Sequence, residues 1–117
     1  MELGFGTLDE FWPYYVAQHL RPATRRLHFA GTTAGLACLA ASFLRNSPLW
    51  IPAGLLLSYG LAWTGHFFFE KNTPATFQYP FFSFRADFRM YALMWTGRMD
   101  AEMERLKVGI AAYRGVK

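Results

Sequence analysis

The chain has 117 residues, room for one domain, and 53% of them are hydrophobic and 19% aromatic against 17% charged. Its single cysteine, Cys38, excludes a disulfide framework and a paired-cysteine metal site. A net charge of +4 in so apolar a chain points to cations flanking a membrane, and no basic stripe or nucleic-acid motif is present, so no nucleic-acid partner is expected.

The N-terminal run MELGFGTLDEF is acidic and lacks the cationic and apolar regions of a signal peptide, so none is expected. Thr7-Leu8-Asp9-Glu10 reads as a capping box opening a helix over 8–19. Phe11, Tyr15 and His19 recur along one face, and Pro22 ends the segment; Pro13 interrupts it and offers a second starting point. Residues 27–44 hold no charge, and 18 helical residues span ~27 Å, close to the ~30 Å bilayer core. A second helix is expected over 48–70, with Ser47 as its N-cap and Pro48 in its first position. The short Arg45-Asn46-Ser47 connection makes the two antiparallel neighbours. The expected fold is therefore an all-α membrane protein, a two-helix transmembrane hairpin flanked by amphipathic interfacial helices. Two buried helices of a soluble protein are the alternative, but such runs leave little polar face for water.

Cations set the topology. The turn carries only Arg45, whereas Arg21, Arg25 and Arg26 precede the hairpin and Lys71, Arg85, Arg89 and Arg98 follow it. The positive-inside rule puts both termini in the cytoplasm, in a bacterial inner membrane or the endoplasmic reticulum. Small residues mark the facing sides: Gly54, Ser58 and Ala62 lead to His66 and Glu70 on one helix, and His28, Gly31, Gly35 and Ser42 share a face of the other.

Residues 70–80 hold two prolines and read as an extended loop. Ser83 caps a helix over 84–96 that Gly97 stops. Its Phe84, Phe88, Tyr91 and Trp95 suit the acyl boundary, and Arg85 and Arg89 suit headgroups. A last helix over 98–113 places Met99, Met103, Leu106, Ile110 and Tyr113 on one side. The whole of 1–117 is one membrane domain, and so small a span favours a homodimer.

The three histidines carry the chemistry. His28 and His66 each lie sixteen residues from the hairpin turn, counted from Leu44 and Trp50, so they sit at equal depth; His19 lies nine residues before His28. Converging imidazoles with a carboxylate nearby bind borderline metals such as iron or zinc. Glu70 follows His66 by one helical turn and joins His19, His28 and His66 as a candidate ligand, with Asp87 a further carboxylate. The competing reading pairs Glu70 with Lys71, Arg85 or Arg89. The methionines read as packing, and no nucleophile arrangement or phosphate loop is present.

The run from His66 through Glu70-Lys71-Asn72-Thr73-Pro74-Ala75-Thr76-Phe77 to Arg89-Met90 resembles the signature of the Mpo-like family, long catalogued as a membrane domain of unknown function. Phe11, Tyr14, Tyr15, His19, Pro22, Arg25, His28, Gly31 and Thr32 resemble its N-terminal half, and the resemblance covers residues 11–99. The family's characterised fungal member is an Fe(II)-dependent dioxygenase of the endoplasmic reticulum that shortens 2-hydroxy fatty acids by one carbon in α-oxidation. The resemblance implies Fe2+ held by His19, His28 and His66, with O2 and a long-chain 2-hydroxy fatty acid as substrates. Some relatives carry histidine where this chain has Tyr79. On this reading Arg25, Arg26 or Arg85 holds the substrate carboxylate, Asn72, Tyr79 and Asp87 support the metal ligands, and oxidative cleavage between C1 and C2 releases CO2. A non-catalytic membrane protein that binds lipid or scaffolds a partner is the alternative function. A histidine-box di-iron enzyme needs many more histidines than three.

Overall fold

The computed structural model describes residues 4–114; residues 1–3 and 115–117, the ends of the expected 1–117 domain and the first residues of the acidic N-terminal run, lie outside the described residues. Every regular element among them is helical, six α-helices with one π-helical and one 3-10 segment. Helix α1 spans Leu8–Ala17. The Thr7 hydroxyl oxygen accepts from the Glu10 N–H at 3.2 Å and donates to the Glu10 carboxylate at 3.3 Å, so the side chains expected to cap the helix do so. The helix runs through Pro13 but stops two residues short of the expected 19. The His19 N–H turns back to the Val16 carbonyl at 2.9 Å, and this tightened last turn leaves His19 in the bend before Pro22.

Helix α2 spans Pro22–Leu44, five residues longer at its start than the uncharged run, because Pro22 occupies the favoured first helical turn and carries Arg25 and Arg26 into the helix. Asn46 adopts φ 49° and reverses the chain, with the Ser47 N–H bonded to the Ser42 carbonyl at 3.0 Å and the Asn46 N–H to Phe43 at 3.3 Å. The second apolar stretch departs from the expected helix over 48–70. Residues 47–49 belong to the turn, so Ser47 is not the cap; α3 spans Trp50–Thr64 and continues as a π-helical segment over Gly65–Glu70. Among the described residues one helix, α2, is long and apolar enough by itself to cross a membrane, so helix length alone does not establish a two-span hairpin.

The antiparallel packing of α2 on α3 is close. A Cβ on Gly31 would meet the Ser58 carbonyl oxygen at 2.7 Å, and one on Gly54 would meet Cys38 Cβ at 2.8 Å and the Gly35 oxygen at 3.2 Å. These are the small faces read from the sequence, and they bring backbone against backbone. The outer faces are bare: Phe43, Leu44, Leu49 and Leu56 are 76–85% exposed. A contiguous apolar belt of this kind marks a surface whose partner is not water.

The core lies elsewhere, among the flanking helices. Helix α4 spans Pro80–Trp95, α5 Met99–Arg105 and α6 Lys107–Tyr113. Helix α4 begins three residues ahead of the expected Ser83 cap because Pro80 takes its first position; Ser83 is the fourth residue of the helix and is buried instead. Gly97 stops it at φ +69°. The expected single helix over 98–113 breaks at Leu106, letting α6 fold onto α1, where Gly109 meets Pro13. Phe11, Trp12, Tyr15, Val16, Ala86 and Met90 are fully buried here, and the Trp12 indole N–H donates to Glu102 at 2.8 Å. We call this aromatic assembly the head. It packs against the open end of the α2–α3 hairpin.

Candidate metal centre

Three elements each deliver one histidine to the seam between head and hairpin. The bend after α1 delivers His19, the second turn of α2 delivers His28, and the π-helical segment after α3 delivers His66. They are 1%, 6% and 2% exposed, and their ligand atoms lie within 4.8 Å of one another. Ring centroids are 4.4 Å apart for His19 and His28, 4.6 Å for His19 and His66, and 5.1 Å for His28 and His66.

Each ring is oriented through Nδ1 by an oxygen that can only accept. His19 Nδ1 donates to the Tyr15 carbonyl at 2.6 Å, His28 Nδ1 to the Thr24 carbonyl at 3.1 Å, and His66 Nδ1 to Asn72 Oδ1 at 2.7 Å. The Asn72 amide is itself fixed, since its Nδ2 donates to the Gln18 carbonyl at 3.1 Å. With the proton on Nδ1, a neutral imidazole presents a bare lone pair at Nε2. His19 and His28 Nε2 nevertheless face each other at 3.1 Å. Two lone pairs at that distance repel unless a cation lies between them. Burial holds the His19 pKa well below its ordinary value, which disfavours a proton as that cation. A metal ion fits: nitrogens bound at about 2.0–2.1 Å to one ion lie roughly 3–3.5 Å apart. The residual cavity, about 10 Å3, has room for a single small occupant.

The π-helical segment accounts for the position of His66. Its wider turn ends where Lys71 takes φ 58°, and the Asn72 N–H closes onto the His66 carbonyl at 3.0 Å. The same turn that releases His66 from α-helical register thus returns Asn72 to hold its ring. Gly65 allows this because Thr24 lies 3.0 Å from where its Cβ would be.

The other candidate residues take separate places. Glu70 lies outside the histidine cluster; its carboxylate accepts the Arg21 backbone N–H at 2.5 Å. Arg25 is buried and spends its guanidinium on the carbonyls of His19 and Leu20, both at 2.8 Å, tying down the bend that carries His19. Arg26 and Arg85 are exposed; Arg26 lines a separate cavity with Pro22, Met94 and Asp100. Tyr79 packs in the aromatic head against Phe5, Phe11 and Tyr14. Asp87 lines the histidine cavity and accepts a hydrogen bond from the Tyr15 hydroxyl. Burial raises its pKa to about 7. The Tyr15 ring stacks on His19 at 4.2 Å, so one residue braces both the imidazole and the carboxyl group.

Two lining residues stand out that sequence reading missed. The Ser83 hydroxyl and the Trp63 indole nitrogen are buried at the cavity with no hydrogen-bond partner. A buried donor left unpaired costs about 1–3 kcal/mol, which a bound oxygen acceptor would recover. No motif marks them, because their burial arises only when the 3-10 segment and the start of α4 fold back to the cavity, with Phe77 edge-on to Trp63 at 5.2 Å.

A family model described as 2-hydroxy-palmitic acid dioxygenase Mpo1-like matches residues 5–99. No curated protein and no solved structure matches the chain.

Proposed function

Because the chain belongs to the 2-hydroxy-palmitic acid dioxygenase Mpo1-like family, we propose that it is a membrane-embedded, Fe(II)-dependent dioxygenase of long-chain 2-hydroxy fatty acids. The observation that carries this reading is the set of three buried imidazoles, each held through Nδ1, whose ligand atoms lie within 4.8 Å of one another. His19, His28 and His66 would hold the iron, an all-nitrogen face that leaves positions for substrate and O2. Ferrous iron supplies the binding and activation of O2 and a chelation site for a 2-hydroxy acid.

The residues of the chain supply the rest. Tyr15, Thr24 and Asn72 keep the three tautomers fixed. The Ser83 hydroxyl and Trp63 N–H are donors for the substrate carboxylate, a role the exposed Arg26 and Arg85 and the committed Arg25 leave open. Asp87, whose pKa burial raises to about 7 in the metal-free protein, lines the same cavity and would exchange a proton with an oxygen of the reacting acid. The head closes water out of the cavity. The reaction balances as 2-hydroxy acid plus O2 giving the acid one carbon shorter, CO2 and water; the C1–C2 bond breaks, and the substrate supplies all four electrons that O2 takes up.

The membrane setting is part of the proposal. Helix α2 and the continuous α3–π stretch both cross, with the exposed belt in lipid, both termini cytoplasmic and the histidines at the lipid–water boundary. Protein purified anaerobically in detergent, loaded with Fe2+ and given 2-hydroxypalmitate and O2, is expected to form the fifteen-carbon acid and CO2. His19→Ala, His28→Ala and His66→Ala are expected to lose iron and turnover together. Retained lipid binding without iron or turnover would favour a non-catalytic lipid-binding protein.

A further inference from the structure

A groove of about 210 Å3 runs beside the histidine cavity, between α2, α3 and α4. Its lining follows the two hairpin helices a turn at a time, away from the histidines. On α2 the order after His28 is Thr32, Gly35, Leu36 and Leu39; on α3 the order before His66 is Tyr59, Ser58, Leu55, Gly54 and Ile51. Phe84 and Phe88 of α4 form the third wall. Tyr59 and Asp87 line both the groove and the histidine cavity, so the two spaces share a border. Polar groups, Thr32, Ser58, Tyr59 and Asp87, gather at the histidine end, and beyond them the walls are aliphatic and aromatic. Leu39, Ile51, Leu55 and Phe84 are 43–53% exposed, so the groove opens sideways onto the apolar belt.

We propose that this groove seats the acyl tail of the substrate, delivered laterally from the membrane, with its polar head at the border that Tyr59 and Asp87 form between the groove and the histidine cavity. The inference rests on the dioxygenase reading for the identity of the acid. Three observations select an acyl chain as occupant: the groove is continuous with the metal centre, its polarity falls along its length, and its length suits the task. Ile51 lies fifteen residues before His66, about 22 Å along a helix, and Leu39 lies eleven after His28, about 16 Å. One leaflet of a ~30 Å hydrocarbon core is about 15 Å deep, so a tail in the groove lies parallel to its former neighbours in the bilayer. The backbones of Gly35 and Gly54 form the floor; their packing against each other fixes its depth.

The test uses the full iron-loaded chain in lipid nanodiscs. Leu55→Trp fills the groove from its open side, and Leu56→Trp, on the adjacent lipid face outside it, controls for bulk. Leu55→Trp is expected to lower kcat/KM for a sixteen-carbon 2-hydroxy acid by about tenfold or more while leaving an eight-carbon acid within about threefold, each buried methylene contributing to the difference. Leu56→Trp is expected to leave both unchanged. Equal loss at all chain lengths, or equal effects of the two variants, would overturn the groove. A binding readout separates the two levels: a 2-hydroxy acid carrying a diazirine on its terminal carbon should label Leu39, Ile51 or Leu55 in wild type and lose that labelling in Leu55→Trp. Labelling spread evenly over the lipid face refutes the groove whatever the turnover. Groove labelling in iron-loaded protein that turns over no acid upholds the groove and sinks the dioxygenase reading instead.

Discussion

Gly31→Ala converts the hairpin's closest contact into a measurable strain on the metal centre. The added Cβ would stand 2.7 Å from the Ser58 carbonyl oxygen, about 0.7 Å inside the 3.4 Å at which ordinary contact begins. The obstacle is backbone, so α2 and α3 must move apart. Gly31 is three residues from His28, and Ser58 is two turns from His66 on a continuous helical stretch, so the displacement reaches both ligands. Metal–ligand distances tolerate only about 0.2 Å. Overpacking of this kind costs about 1–3 kcal/mol, partly offset by up to about 1 kcal/mol from replacing glycine with alanine in a helix. We expect stability in detergent to fall by up to about 2 kcal/mol, while ferrous-iron affinity under anaerobic titration falls roughly 10–100-fold, as when a supporting group is lost. Gly60→Ala, whose Cβ would meet nothing within 4 Å, supplies the control: higher stability and unchanged iron binding. If Gly31→Ala binds iron as tightly as Gly60→Ala does, the close approach of the helices does not set the ligand geometry and the reasoning fails.

Asn72→Leu removes the acceptor that orients His66; isothermal titration should show iron affinity lower by about 10–100-fold, with the helical content of the circular dichroism spectrum preserved. The pH dependence of Asp87 has a definite sign. Its folded pKa is raised from 3.8 to about 7, so the unfolded chain gives up the proton first, and this carboxyl disfavours folding progressively as pH rises from about 4 to 7. Asp87→Asn should therefore raise the melting temperature of the metal-free protein more at pH 8 than at pH 4; an equal gain at both would contradict the assignment. Glu102 has the opposite sign. Hydrogen bonds from Arg105 and Trp12 hold its pKa down at about 2, so its support of the head, present above about 4.5, is lost as pH falls toward 2, and Trp12 fluorescence should report that loosening in wild type but not in Glu102→Gln. Thr7→Ala should cost about 1 kcal/mol in urea unfolding of the head, the usual value of an N-cap.

How much of this could be read from the residues depends on the range over which each feature is determined. Local chemistry was legible: the Thr7–Glu10 cap, the short turn at Arg45-Asn46-Ser47, and the Gly97 stop each follow from neighbours in sequence. The equal spacing of His28 and His66 from one turn was legible too, because an antiparallel pair converts spacing into depth. Boundaries at prolines were not: Pro22 and Pro80 open helices ahead of where apolar periodicity begins. The π-helical turn had no sequence mark, and neither did the split at Leu106, since both answer to packing of distant elements. The partners of Arg25 were not legible for a physical reason. A guanidinium near a metal site suggests an anion, yet Arg25 serves two backbone carbonyls that the bend after α1 leaves without helical partners. Trp12 and Glu102, ninety residues apart, meet only once α5 has folded back.

The seam that holds the histidines also divides the molecule by the way its two sides pack. The head hides its aromatics as a protein in water does, whereas the hairpin wears its leucines outside and packs glycine on glycine. His19 belongs to the first regime, and His28 and His66 belong to the second. On the dioxygenase reading, an ion held by all three would join two regions packed on different principles, and it would be set once the head has closed on the hairpin. Iron loading would thereby depend on the assembly of both regions. A chain whose head has not docked on the hairpin would present no complete set of three histidines.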